Sequence, residues 1–139
     1  MSTTCDTERS EKLKVCYFDY ERWDVYQAAL ELVVLISELV EQLPRGKAYL
    51  VDQLQRAGTS VPLNIAEGAG EHSLSEKARF YRMAKRSATE CASIFDVCKR
   101  LRQLSDDQYT QGRELLLRLA AMLTKMARAD SASRASSDG

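Results

Sequence analysis

Phe80-Tyr81-Arg82-Met83-Ala84-Lys85-Arg86-Ser87-Ala88-Thr89-Glu90-Cys91-Ala92-Ser93-Ile94-Phe95-Asp96-Val97-Cys98-Lys99-Arg100-Leu101 is the stretch that decides the fold of this chain. Within it Phe80, Ala84, Ser87, Cys91, Ile94, Cys98 and Leu101 recur at alternating intervals of four and three, the repeat that lays side chains along one helical face. Upstream, Ser73 and Glu76 have the spacing of a capping box, so the helix is expected to open just after Ser73.

The same reading extends outward in both directions. On the C-terminal side Tyr109, Gly112, Leu116, Leu119, Leu123 and Met126 repeat at helical spacing after a second capping box, Ser105 with Gln108, which predicts a helix over about Asp106 to Ala129. On the N-terminal side Leu50, Leu54, Ala57, Val61 and Ile65 mark a helix from about Lys47 to Glu67, with Gly68 and Gly70 placed to end it. Pro62 lies inside that period. Its missing N–H and its ring predict a kink near Gly58 to Val61 within a single helix. Further upstream, Tyr26, Leu30, Val33 and Val40, with Ile36, Leu39 and Leu43 on the adjoining row, predict a helix from about Trp23 to Leu43 that stops at Pro44.

Four helices joined by a few residues each predict an all-α, antiparallel up-down-up-down bundle over residues 20–129. Residues 1–19, without a sustained period, are expected to be an arm that orders only by docking; residues 130–139, rich in Ser and Ala, read as a disordered tail. Composition agrees with one helical domain. The chain has 139 residues, two prolines and six glycines, too few turn formers for a sandwich or barrel. The longest apolar run, Leu32 to Ile36, falls far short of the roughly 20 residues that span a bilayer. No apolar leader with a cleavage site follows Met1, so a bacterial cytoplasmic location is expected, with Cys5, Cys16, Cys91 and Cys98 as free thiols.

Few residues offer chemistry. A di-iron bundle needs two Glu-x-x-His pairs, whereas His72 is the one histidine and sits in the turn Gly70 to Ser73. Cys91 and Cys98 stand seven apart on the apolar seam with no C-x-x-C, which reads as core and not as zinc. Nucleophile-elbow, Walker A and dinucleotide fingerprints are missing. The sequence therefore predicts neither an enzyme nor a metal or cofactor site.

Charge is more informative. Lys plus Arg and Asp plus Glu number 20 each, so the molecule is neutral. It is nonetheless polarised: residues Ser73 to Leu104 hold eight bases against three acids, and Glu21 to Gln42 five acids against one base. Arg79, Arg82 and Arg86 fall at i, i+3 and i+7 with Lys85 beside them, one helical stripe. Such a stripe is read either as a nucleic-acid surface, with Arg56 from the second helix, or as a solvated or subunit-contacting face. Tyr26, Val34 and Leu35 add apolar surface beyond one bundle seam and predict self-association. In the second helix Ser60, Asn64 and Glu67 form a polar stripe, with Asn64 and Glu67 expected to bond to Ser87 or Arg86 of the third.

The segment Leu50 to Gly68 carries Leu50, Gln53, Leu54, Arg56, Ala57, Ser60, Val61, Pro62, Asn64, Ile65, Ala66, Glu67 and Gly68 in the order L-x-x-Q-[LI]-x-R-A-x-x-S-[VI]-P-x-N-I-A-E-G. In this it resembles the proteins encoded within intervening sequences of bacterial 23S ribosomal RNA genes, often labelled S23 ribosomal proteins. Tyr20 to Ala29 and Phe80 to Glu90, including Ser87 and Glu90, are similar to two further stretches of that family, and the resemblance covers about Tyr20 to Arg128. Arg86 stands where the family has glycine and Gln55 where a second arginine is common. The resemblance implies a bundle assembled into ring-shaped homopentamers. It also implies remote kinship to accessory proteins of diversity-generating retroelements, which bind a reverse transcriptase and nucleic acid. On these grounds Gln53, Ser60, Asn64, Glu67, Gly68, Ser87 and Glu90 are expected to be structural, and Arg56, Arg79, Arg82, Lys85 and Arg86 to bind structured RNA. A purely structural or protein-binding scaffold, for instance an accessory subunit to a reverse transcriptase, is the rival expectation.

Overall fold

In the computed structural model, the backbone is described for residues 3–5 and 16–138 and side chains for 16–129. Four helices make the fold: α1 (Asp24–Val40), α2 (Ala48–Gly70), α3 (Leu74–Arg100) and α4 (Asp106–Asp138). Ahead of them, strands β1 (Thr3–Cys5) and β2 (Cys16–Phe18) pair antiparallel, and a 3-10 turn, Asp19–Arg22, leads into α1. No described helix is long and apolar enough to cross a membrane.

Each helix packs on two others, α1 and α3 both on α2 and α4, so α1 and α3 occupy opposite corners. Cross-helix bonds give the directions. Lys77 at the start of α3 reaches Gly68 and Ala69 at the end of α2, and Ser87 reaches back to Ser60. Tyr109 at the start of α4 bonds Asp96 late in α3, and Gln108 bonds Gln42 just past α1. Those pairs make α2 and α3, α3 and α4, and α4 and α1 antiparallel.

The core follows from small and large side chains alternating across these contacts. Ala28 and Ala29 of α1, Ala57 of α2, and Ala84 and Ala88 of α3 are buried beside Leu32, Leu39, Leu54, Ile65, Leu119 and Leu123, with Phe95 the largest side chain fully enclosed. The α2 and α4 periods read from sequence hold: Leu50, Leu54, Ala57, Val61 and Ile65 are buried, as are Leu116, Leu119 and Leu123. On α3 the buried line is Tyr81, Ala84, Ala88, Cys91, Phe95 and Cys98, while Phe80 and Ser87 are half-buried and Leu101 exposed. The expected seam is thus one edge of the buried arc. A helix wedged between two neighbours buries both flanks, and its arc is centred between them. On α1, likewise, Leu35 is buried and Tyr26 half-buried, so of the three surplus apolar residues Val34 alone stays exposed, joined by Leu30.

Helix ends are built as their sequences direct. Ser105 and Gln108 close both arms of a capping box, at 3.0 and 3.1 Å, and Ser73 accepts from the Glu76 amide. The end of α2 differs from expectation: neither Gly68 nor Gly70 takes a left-handed conformation, and the orphan carbonyls of Gly68 and Ala69 accept from the Lys77 ammonium instead. Pro62 sits inside one unbroken α2, its ring buried. The tail expected to be disordered continues α4 as far as Asp138, since Ser and Ala do not terminate a helix already propagating.

Residues 1–2 and 6–15 of the expected arm lie outside the described residues, and the part next to α1 packs on it through rings. Tyr20 meets Tyr26 of α1 edge-on at 5.0 Å and stacks on Phe18 at 5.6 Å. Cys16, opposite Cys5 in the ladder, is disulfide-bonded and not the expected free thiol. Cys91 and Cys98 are free and buried, as expected.

Candidate nucleic-acid interface

Because Ala84, Ala88, Cys91, Phe95 and Cys98 face the core, the opposite side of α3 must carry its polar residues. Arg79, Arg82 and Arg86 are exposed there and Lys85 is half-buried. Among the described residues two ion pairs form, Arg79 with Glu76 and Lys99 with Asp106. Arg82, Lys85 and Arg86 therefore have no carboxylate partner, so their charge is open to solvent. Arg79 bonds Glu76 through Nε at 3.1 Å and lies 5.0 Å over the Phe80 ring, which orients its guanidinium and leaves the two terminal nitrogens without a hydrogen bond among the described residues.

This face has two edges. Met83, Ser87 and Glu90 form the edge nearer α2, since Ser87 bonds Ser60 of that helix. Arg82, Lys85, Thr89 and Asp96 form the edge nearer α4, since Asp96 accepts from Tyr109 at 2.7 Å. That bond holds the Tyr109 phenol above its ordinary pKa, with nearby Arg113 pulling the other way. Arg113 thus stands close to the α4 edge and adds a base that spacing within one helix does not reveal, because it arrives through the register of α4 against α3. Lys99, although basic, is engaged by Asp106 and by the Tyr109 ring.

Arg56 belongs elsewhere. It lines a shallow depression on the outer face of α2 with Asp52, Gln55, Thr59, Ser60, Leu63 and Asn64. The Ser60–Ser87 bond sets the antiparallel register, which puts Arg56 about level with Cys91, one turn past Ser87 along the bundle. The structure thus brings Arg79, Arg82, Lys85 and Arg86 onto one helix face and leaves Arg56 across the α2–α3 groove beside an aspartate.

The residues expected to be structural divide as well. Asn64 donates from Nδ2 to the Ser60 carbonyl and to Ser60 Oγ, both at 2.8 Å, and Ser87 donates to Ser60 Oγ at 2.9 Å. This network links α2 to α3 through Ser60, whereas Asn64 bonds within α2 and not to Ser87 or Arg86 as expected. Gly68 is buried because a Cβ there would stand 2.6 Å from the Tyr81 ring. Gln53, Glu67 and Glu90, by contrast, are exposed, and Glu67 makes neither a bond nor an ion pair. The expected tie from Glu67 to Ser87 or Arg86 is not formed, because the Ser60–Ser87 register puts Glu67 level with Phe80, about 10 Å along the bundle from either.

A family model described as 23S rRNA-intervening sequence protein matches residues 21–125. A search of curated proteins finds no match. Among solved structures, this chain is similar to a protein of unknown function from the S23 ribosomal protein family of Bacteroides thetaiotaomicron VPI-5482, at 22% identity over 74% of this chain and 97% of that one, with a TM-score of 0.69. That likeness speaks for the four-helix fold. With the family model spanning all four helices, from the turn before α1 to well into α4, the chain belongs to the 23S rRNA-intervening sequence protein family.

Proposed function

We propose that this protein is a non-enzymatic, self-assembling helical scaffold of the cytoplasm that binds nucleic acid, structured RNA above all, through the outer face of α3. Arg82 and Lys85 lie along the α4 edge of that surface, with Arg79 and Arg86 along its middle and Arg56 across the groove. The observation that carries this reading is the set of exposed cations on α3 without carboxylate partners. A phosphate backbone is a polyanion that such a set meets without needing sequence readout. The family's tie to 23S rRNA genes, by its description, makes RNA the first ligand to try. Assembly into a homopentameric ring would repeat the surface and so let a neutral chain hold a polyanion.

The test is a titration of a labelled RNA hairpin and a DNA duplex of equal length at several salt concentrations, with wild type and an Arg82→Glu, Lys85→Glu variant. Wild type is expected to bind with an affinity that falls steeply with salt, and the slope of log K against log salt is expected to shrink by about 0.7 to 0.9 for each phosphate that the variant no longer engages. No binding by wild type at low salt, or undiminished binding by the folded variant, would leave the protein-binding scaffold as the reading.

A further inference from the structure

The outer face of α1 carries the counterpart of the α3 row. Between α1 and α4 runs a groove of about 690 Å³ floored by Leu35 and Leu115 and rimmed by Glu31, Glu38 and Glu114, against a single base, Arg118. Val34 stands on its α1 side 57% exposed. An acidic rim around apolar side chains fits a basic helix that also presents an apolar residue, and α3 is such a helix: Arg79, Met83 and Arg86 fall at i, i+4 and i+7, with Met83 39% exposed.

The spacings match. Glu31 and Glu38 are seven residues apart, as are Arg79 and Arg86, so each pair is separated by about 10.5 Å along its axis. Val34 lies between the acids and Met83 between the bases. Two such helices side by side form two ion pairs around an apolar contact. Within one molecule they do not meet, because α1 and α3 occupy opposite corners. We infer that the α1–α4 groove is the seat for α3 of a second copy, Glu31 and Glu38 receiving Arg79 and Arg86 around Val34 and Met83. This rests on the self-assembly part of the proposed function and not on nucleic-acid binding. Each copy accepts with α1 and offers with α3, so the contact is head-to-tail and leads to a ring or an open chain, not a two-fold dimer. It covers the α2 edge of the α3 row and leaves Arg82 and Lys85 open.

The inference is tested by light scattering on the eluting peak of a sizing column at micromolar protein. Wild type, Glu31→Arg/Glu38→Arg, Arg79→Glu/Arg86→Glu, and the chain with all four changes are compared, their helicity checked by circular dichroism. All four positions are exposed, so folding is expected to survive. Wild type is expected to run as a multiple of 15.7 kDa above two, and each paired reversal as a 15.7 kDa particle. The fourfold reversal, and an equimolar mixture of the two paired reversals, are expected to reassemble. A monomeric wild type would overturn self-assembly itself. An assembled wild type whose paired reversals stay assembled, or whose fourfold reversal stays monomeric, would overturn this seat alone, and a wild-type two-fold dimer would overturn the head-to-tail geometry.

Discussion

Ser87 Oγ donates to Ser60 Oγ at 2.9 Å, a side-chain to side-chain hydrogen bond that ties α3 to α2. Ser60 Oγ also accepts from Asn64 at 2.8 Å, so a single hydroxyl gathers two donors where the helices pass each other. Both serines are half-buried, which keeps water from replacing either bond at no cost.

Removing the two partners should therefore have unequal effects. Ser87→Ala deletes one donor and is expected to lower stability by about 0.5 to 1.5 kcal/mol, whereas Ser60→Ala removes an acceptor that two donors share, leaving Ser87 without its partner and Asn64 with its carbonyl bond alone, and is expected to cost about 1 to 3 kcal/mol. Urea unfolding of both single variants and of the pair gives the coupling between them. Exposed, unpartnered Glu67 is the control: Glu67→Ala should stay within about 0.5 kcal/mol of wild type.

Gly112 lets α4 approach α3 at Phe95. A Cβ at that position would overlap the Phe95 ring, which is 1% exposed and has no room to move aside. Gly112→Ala is expected to destabilise by about 1 to 3 kcal/mol, overcoming the roughly 1 kcal/mol that alanine gains in an isolated helix. A methyl group added at Gly46 would meet nothing within 4 Å, and Gly46→Ala should leave the melting temperature nearly unchanged.

At the end of α3, Arg102 adopts a left-handed conformation with φ 59°, while the Gln103 amide bonds the Cys98 carbonyl and the Arg102 amide that of Lys99. This is a Schellman closure with arginine where glycine is favoured. Arg102→Gly should raise stability by about 1 kcal/mol, since a side chain in that conformation costs about 1 to 2 kcal/mol. An unchanged or lowered unfolding midpoint would show that the arginine side chain contributes more than its strain removes.

Burial pushes the Cys91 thiol up to about 12 and raises Cys98 as well. The folded-state value lies above the ordinary one, so at pH 8 both thiols are protonated and poor nucleophiles. Iodoacetamide at pH 8 should leave peptides bearing Cys91 and Cys98 unmodified in folded protein and modify both in 6 M guanidinium. Rapid labelling of Cys91 in the folded state would contradict the packing around it.

Much of this was legible in the order of residues. Period and caps determine the four helices: Ser105 with Gln108 is a closed capping box because its atoms lie within one turn, and the Leu50 to Ile65 spacing is satisfied within one helix. The R-x-x-R-x-x-x-R row at Arg79, Arg82 and Arg86 is equally local, and α3 displays it as the spacing requires. What tertiary structure alone decided depends on where a second helix lies. The line of α3 that faces inward runs through Tyr81, Ala88 and Phe95 because α2 and α4 press on both flanks. Gly68 serves an approach of Tyr81 and not a helix end, because Lys77 from α3 supplies the capping charge. Arg56 is parted from the α3 row and Arg113 brought near it by helix register, and the acidic face of α1 is set at the opposite corner from the basic face of α3 by the packing order. A helix repeat records which residues share a face; only packing between helices, which depends on side-chain volume at each crossing, says what that face meets.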